Sequence, residues 1–272
     1  MTRIIAIANQ KGGVGKTTTS VNLAASLAAT KRRILLIDLD PQGNATAGSG
    51  VDKTNLNFSV NEVLLGEVEP AEAICKTEWG YDILPSNGNL TVAEVRLLKI
   101  DNREQCMHNA LTPVYDHYDY ILIDCPPSLN MLTVNALVAA NSVLVPIQCE
   151  YYALEGLTSL LGNIERIRKA VNTDLQLEGL LRTMYDGRNR LTKEVSEQLL
   201  KHFGNKVYHT VIPRNVRLAE APSHGIPIIS YDRSSQGAAA YLALAGELLR
   251  RHEDVLRDKA IVEEQEEGVN HE

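Results

Sequence analysis

Short apolar runs alternate with longer stretches of helical periodicity along nearly the whole chain. The apolar runs cover residues 4–8, 34–37, 81–84, 120–123, 143–147, 177–183 and 207–212, each of strand length. Helical patterns fall between them, over 17–29, 90–100, 104–115, 131–139, 153–171, 191–203 and 236–251. This alternation predicts parallel strand pairing with helices on both faces. Val143-Leu144-Val145 reads as a strand buried on both sides. Ser59 stands three residues before Glu62, ahead of Val63-Leu64-Leu65, which is a capping box for a short helix. The expected fold class is α/β, a single domain over residues 1–252 with a mainly parallel twisted sheet. Neither an internal repeat nor a linker interrupts the pattern. The one compositional break comes at residues 253–272, an acidic tail expected to fray and lose order.

The first apolar run leads directly into Lys11-Gly12-Gly13-Val14-Gly15-Lys16-Thr17-Thr18. Glycines let the backbone turn tightly and bring its N–H groups against phosphate oxygens. The helix that follows adds its orphan N–H groups and dipole. Lys16 can reach the β- and γ-phosphates, and the Thr17 hydroxyl can hold Mg²⁺. The stretch therefore predicts binding of a nucleoside triphosphate. It departs from the usual G-x-x-x-x-G-K-[ST] pattern, because Gln10 occupies the place of the first glycine. What it carries instead is a second lysine, Lys11. Since Lys16 already serves the chain's own phosphates, Lys11 is free to act on the nucleotide of a second subunit, as an arginine finger does in trans.

Composition narrows the classes. At 272 residues the chain is long enough for one large core. No apolar stretch reaches the roughly 18 residues of a membrane span, and the first apolar run reads as a strand, not as part of a leader. Cys75, Cys106, Cys125 and Cys149 are widely spaced, which argues against a zinc site and for a reducing, cytoplasmic setting. The formal charge of −7 is unevenly spread: residues 253–272 hold eight acidic and two basic side chains, and residues 1–252 are close to neutral. The stretch from Arg182 to Arg217 holds eight basic and three acidic residues, a basic segment that can bind nucleic-acid phosphates.

Two strand-like runs end in aspartates. The first passes into Asp38-Leu39-Asp40-Pro41-Gln42-Gly43-Asn44-Ala45-Thr46, the second into Asp124-Cys125-Pro126-Pro127-Ser128. Ligands of parallel sheets collect at these carboxyl ends. Asp124 has the Walker B position, where a carboxylate serves Mg²⁺ directly or through water. Asp38 and Asp40 fall on one side of the chain if strand geometry persists, one able to serve the metal and the other to orient a water. These motifs, with residues 212–225 (Ile-Pro-Arg-Asn-Val-Arg-Leu-Ala-Glu-Ala-Pro-Ser-His-Gly), resemble those of the ParA/Soj chromosome-partitioning ATPases over nearly the whole chain up to about residue 251.

That resemblance implies an ATPase using ATP and Mg²⁺, with Thr17, Asp38 and Asp124 around the metal and Lys11, Lys16 and Asp40 as catalytic residues. It implies an ATP-bound homodimer, binding to double-stranded DNA without sequence preference, and a ParB-like centromere-binding partner that triggers hydrolysis. Asp40 would position the attacking water, Lys11 would contact the partner subunit's nucleotide, and Pro213, Arg214 and Asn215 would lie at the adenine. The expected location is cytoplasmic and nucleoid-associated. Arg188, Arg190 and Arg217 lead the DNA-contact candidates, followed by Lys193, Lys201 and Lys206. The chain starts at its first strand, so operator binding through an N-terminal helix-turn-helix is not expected. Competing classes share the loop. A MinD-like membrane-associated ATPase uses a basic amphipathic C-terminal helix, whereas this chain closes on Glu263-Glu264-Gln265-Glu266-Glu267, which anionic lipid repels. A reductase resembling nitrogenase iron protein needs cluster cysteines, for which Cys125 is the single candidate, and a metabolic ligase is a further reading. An ATPase that positions another cargo has the same motifs.

Overall fold

The computed structural model describes residues 2–269. Its eight strands are β1 (Arg3–Ile7), β2 (Ile34–Asp38), β3 (Cys75–Lys76), β4 (Asp82–Leu84), β5 (Tyr120–Asp124), β6 (Ser142–Gln148), β7 (Gln176–Tyr185) and β8 (Val207–Pro213). They form one sheet in the order β3-β4-β2-β5-β1-β6-β7-β8. All neighbours are parallel except β3 and β4. The helices are α1 (Lys16–Ala28), α2 (Asn44–Gly48), α3 (Val60–Leu64), α4 (Pro70–Ala73), α5 (Leu90–Leu97), α6 (Cys106–Leu111), α7 (Met131–Ala139), α8 (Ala153–Ala170), α9 (Arg190–Phe203), α10 (Val216–Glu220), α11 (Ile228–Tyr231) and α12 (Gln236–Val269).

The period of two along each strand divides the core into two layers. Ile4, Ala6 and Ala8 face one layer with Leu132 and Ala136 of α7, Leu157 and Leu160 of α8, and Leu199 of α9. Ile5 and Ile7 face the other, with Leu23 and Leu27 of α1 and Tyr241, Leu244 and Leu248 of α12. Chain leaving β1 crosses through α1 to β2, on the far side of β5. Chain leaving β5 crosses through α7 to β6, on the far side of β1. The two crossovers diverge at the carboxyl ends of β1 and β5, the position where such sheets bind ligands.

The structure adds to and corrects the sequence pattern. The capping box forms: the Ser59 N–H donates to Glu62 Oε2 at 2.8 Å and Asn61 N to Ser59 Oγ at 3.3 Å. The helix expected over 104–115 is instead α6 flanked by two 3-10 turns, Arg103–Gln105 and Thr112–His117. Pro113 lies in the second, where its missing N–H denies the α-helix a bond. β3, only two residues long and antiparallel, is too short to show a period. The helix expected to end at Arg251 runs on as α12 to Val269, into the acidic tail. Gly268 is the first glycine or proline beyond His252, so the intervening residues, many of them strong helix formers, carry no stop signal.

α12 is fastened to the amino ends of the strands by a buried polar group. His252 Nε2 lies 3.0 Å from Glu178 Oε1 and its Nδ1 lies 3.0 Å from the Tyr120 hydroxyl. Ser142 Oγ donates to Glu178 Oε2 at 2.8 Å and the Tyr208 hydroxyl to Oε1 at 3.1 Å. Burial alone would raise the Glu178 carboxyl, but the hydrogen bond and charge of His252 and the two hydroxyls together hold it down to about 2. A depressed carboxyl stabilises the fold above its ordinary value of 4.5, and this contribution is lost as pH falls toward 2. Glu178→Gln should lower the unfolding free energy at pH 7 by about 1–3 kcal/mol, because the Ser142 and Tyr208 hydroxyls and the His252 ring lose the carboxylate they share. The variant should also lose stability less steeply than the parent over that acid range. Urea denaturation across the pH series measures both.

Candidate functional site

Three adjacent strands deliver the site. Ile7 of β1 is in register with Asp124 of β5, and Asp124 with Asp38 of β2. The chain beyond β1 is tied down at once: Asn9 Nδ2 donates to Pro146 O at 2.7 Å, and Asn9 Oδ1 accepts from Lys11 N at 3.0 Å. Gly15 caps α1 in the left-handed region, at φ 86°, where a side chain would be strained. That turn opens the helix N-terminus toward the loop. Thr183 Oγ1, at the end of β7, donates to Val14 O at 2.8 Å and holds the loop from the other side. The result is a backbone nest facing the orphan N–H groups of α1, a form suited to phosphate.

The side chains converge on the same place. Lys16 is buried, its ammonium 3.3 Å from Lys11 O. Burial lowers its pKa, opposed by the charges of Asp124 and Asp40. Thr17 Oγ1 donates to Asp124 Oδ2 and Ser20 Oγ to Oδ1, both at 2.8 Å. Asp38 accepts from Thr46 N and Thr46 Oγ1, both at 2.7 Å, and from Asp40 N at 3.2 Å. Asp38 and Asp124 are both 0% exposed. Burial raises the pKa of each, and the neighbouring carboxylate raises Asp124 further, opposed by its two hydroxyl donors. Such a pair calls for a cation. A hydroxyl beside a strand-end carboxylate is the donor set of a magnesium ion that takes its remaining ligands from phosphates and water, so the residues fit Mg²⁺.

Several expectations change in detail. Strand geometry does not persist from Asp38 to Asp40, because β2 ends at Asp38 and Asp40 lies in a turn before α2. Its Oδ1 accepts from Gln42 N at 2.9 Å. Lys11 is exposed and paired with Glu150 of the segment after β6. Gly12 and Gly13 are exposed beside it. A cavity of about 360 Å³ next to α1 is lined by Thr17, Thr18, Asn22, Asn44, Pro222 and Ser223, among others. Pro213, Arg214 and Asn215 are not among its walls. Pro213 ends β8, Arg214 N approaches Tyr185 O at 3.4 Å, and Asn215 caps α10 by accepting from Leu218 N at 3.2 Å. Asn9, Ser20, Thr46, Ser86, Glu150 and Thr183 were absent from the sequence-derived site. Asn9, Ser20 and Thr46 lie close in sequence to the loop or to Asp38 but carry no signal that marks them, whereas Ser86, Glu150 and Thr183 are brought there only by the order of the strands.

The basic candidates divide between two ends of the sheet. Arg188, Arg190 and Arg217 follow the carboxyl ends of β7 and β8, with Lys193 in the first turn of α9. Lys201 and Lys206 lie toward the amino end of β8, at the opposite edge. Arg188 pairs with Asp186, Arg190 with Glu194 and Arg217 with Glu220. Arg182, counted in the basic segment, is buried, bonded to Ser196 Oγ, Tyr208 O and His209 O at 2.8, 2.9 and 3.2 Å. It adds nothing to a surface.

A family model described as an AAA domain matches residues 2–177. Soj of Bacillus subtilis, described as a sporulation initiation inhibitor protein, is 53% identical over 91% of this chain and 98% of its own. The chromosome partitioning protein ParA of Myxococcus xanthus is 52% identical over 92% and 88%. A crystal structure from Mycobacterium smegmatis described as cobyrinic acid a,c-diamide synthase, with bound ATP analogue and magnesium, superposes with a TM-score of 0.82. It is 41% identical and covers 93% of this chain and 96% of that one.

The cysteines oppose a redox or cluster role for Cys125. It is buried, its thiol donating to Ile123 O at 3.7 Å. Burial and the Asp124 charge push that thiol far above the ordinary range. Burial pushes Cys149 up to about 11. A thiol must ionise and be reached to react. Brief iodoacetamide treatment of the native protein at pH 8 should therefore label half-buried Cys75 and Cys106 first, leaving Cys125 and Cys149 intact in peptide mass spectra. Rapid alkylation of Cys125 would show that the thiol is ionised and accessible after all.

Proposed function

The chain belongs to the ParA/Soj family of chromosome-partitioning ATPases, and on that premise we propose that it is an ATP-gated DNA-binding switch. In this reading ATP joins two copies face to face, the dimer holds duplex DNA through its backbone, and a ParB-like partner triggers hydrolysis and release. The observation that carries the reading is at Gly12. A Cβ built there meets no atom within 4 Å, and its φ lies outside the left-handed region. Nothing among the described residues requires a glycine there. A second loop approaching closely would. Lys11, beside it, is 44% exposed and held only by Glu150, an exposed pair of the kind worth little and easily exchanged.

The chemistry follows from the positions of the side chains. Lys16 neutralises the β- and γ-phosphates of its own subunit, and the N–H groups at the start of α1 bind their oxygens. Thr17, Asp124 and Asp38 are the residues that would hold magnesium, which would supply charge stabilisation to the transferring phosphate. Asp40 orients the attacking water, and Lys11 leaves Glu150 to reach the partner subunit's nucleotide. Turnover without a partner is slow, because this machinery supplies positioning and charge but no strong general base. The diamide synthase description of the Mycobacterium smegmatis structure suggests other chemistry on the same loop. The two relatives at 53% and 52% identity with partitioning names favour the switch.

DNA contact is assigned to the carboxyl-end group, Arg188, Arg190, Arg217 and Lys193. Dimerisation doubles this charge. The acidic partners of the three arginines are solvent-exposed and can be exchanged for phosphate. Lys201 and Lys206, at the far edge, contribute less. With about three contacts per subunit, log affinity of the ATP-trapped dimer should fall against log salt with a slope of roughly −5. Gly12→Val should bind ATP yet keep only the weak hold of the nucleotide-free protein. Filter binding on duplexes of unrelated sequence, across a salt series with and without nucleotide, measures both. A flat salt response, or equal affinity without ATP, would count against the switch.

A further inference from the structure

We propose that Ser86 and Thr46 are positioning residues for the hydrolytic step, closing a clamp around the backbone of Asp40. The proposal rests on the reading of Asp40 as the water-orienting residue.

Four residues from three separate segments form a closed ring of hydrogen bonds. Asp40 N donates to Asp38 Oδ1 at 3.2 Å. Thr46 Oγ1 donates to Asp38 Oδ2 at 2.7 Å. Ser86 N donates to Thr46 Oγ1 at 2.9 Å, and Ser86 Oγ donates to Asp40 O at 2.8 Å. Asp40 is thus gripped at both its N–H and its carbonyl. Asp38, Thr46 and Ser86 are all 0% exposed. The Thr46 hydroxyl uses both its donor and its acceptor capacity, which no valine could do.

The loop between is pressed onto the same clamp. Gly43 lies at φ +61°, and a Cβ there would stand 2.7 Å from Ser86 O. A glycine is therefore required for the loop to lie against Ser86 at all. Gly43 N returns to Asp40 O at 2.9 Å, Gln42 N to Asp40 Oδ1 at 2.9 Å, and Lys53 Nζ holds Gln42 O at 2.6 Å. Ser86 follows β4, next to β2 in the sheet, and so belongs to neither the loop nor the phosphate-binding segment. Its hydroxyl anchors the Asp40 turn to the rigid sheet. A water-orienting carboxylate works only when its position is held to a fraction of an ångström. Neither Ser86 nor Thr46 is placed at substrate: Ser86 holds Asp40 directly, and Thr46 holds Asp38, whose other oxygen grips the Asp40 amide.

Ser86→Ala removes one anchor while leaving Asp40 O its bond from Gly43 N. It should lower kcat for ATP hydrolysis by about tenfold to a hundredfold with KM for ATP within about twofold, the signature of a lost transition-state arrangement and not of lost binding. Thr46→Val should fall in parallel, and Thr46→Ser, which keeps the hydroxyl, should stay near the parent. A second measurement uses the nucleotide-free protein. Amide hydrogen exchange at Gln42 and Gly43 should quicken about tenfold or more in Ser86→Ala, with the amides of α1 unchanged. Unchanged exchange in the loop overturns the clamp, and so does faster exchange with unchanged kcat. Loss of activity in Thr46→Ser equal to that in Thr46→Val also overturns it. Asp40→Ala measured alongside separates the two claims: parent-like turnover there removes Asp40 from the mechanism, whereas the exchange experiment tests the clamp on its own.

Discussion

Two aspartates from neighbouring strands stand side by side out of contact with water, and the site is organised around the cost of keeping them there. Asp38 and Asp124 are register partners at the ends of β2 and β5, both fully buried. Like charges so placed resist ionising together. Every nearby polar group answers that problem. Thr17 and Ser20 donate to Asp124, Thr46 and the Asp40 amide donate to Asp38, and the buried Lys16 ammonium feels both Asp124 and Asp40. A divalent cation held between the strand ends and phosphates would relieve the remaining repulsion.

The fold makes this arrangement possible because β2 and β5 are apolar on both faces until the aspartate that ends each, and β1 is apolar beyond Arg3. Ile7, Ile37 and Ile123 are buried in core layers, and the next turn of chain carries the chemistry. α1 is packed through Leu23 and Leu27 against the sheet, which fixes the direction in which its N-terminus points. α12 covers the same layer and is fastened at the far end of the strands by Glu178 and His252. The phosphate end of the molecule is therefore held by a scaffold whose own polar anchor lies at the opposite edge.

Much of this was legible in the sequence for a physical reason: phosphate and magnesium chemistry needs particular residues at particular local spacings. The glycine loop with Lys16 and Thr17, and the aspartates after apolar runs, are signals of that kind. The partners that complete the site are not. Ser86, Thr183 and Glu150 reach it through strand order, which local pattern does not encode, and Ser20 and Thr46, though near in sequence, are ordinary helix residues with no signal of their own. Asp40 was expected to continue the strand geometry of Asp38. The Pro41–Gly43 turn breaks it, and the turn itself became a mechanical element. Arg182 read as surface charge by count alone, although its place among Leu180, Leu181 and Thr183 within a strand run already pointed inward. The length of α12 was underestimated because a change of composition is not a stop signal.

The central claim is that two buried like-charged carboxylates, Asp38 and Asp124, oppose each other's ionisation, and that nucleotide and magnesium binding relieves this. Its most direct test is the unfolding free energy of Asp124→Asn beside that of the parent at pH 7, each measured by denaturant titration with and without ATP and magnesium. The parent should gain about 2.7 kcal/mol at ligand near a hundredfold its Kd. Asp124→Asn should be more stable than the parent when empty, since one of the two like charges is gone, and should gain little from ATP and magnesium. A variant less stable than the parent when empty, or one that keeps the full ligand-induced gain, would contradict the claim.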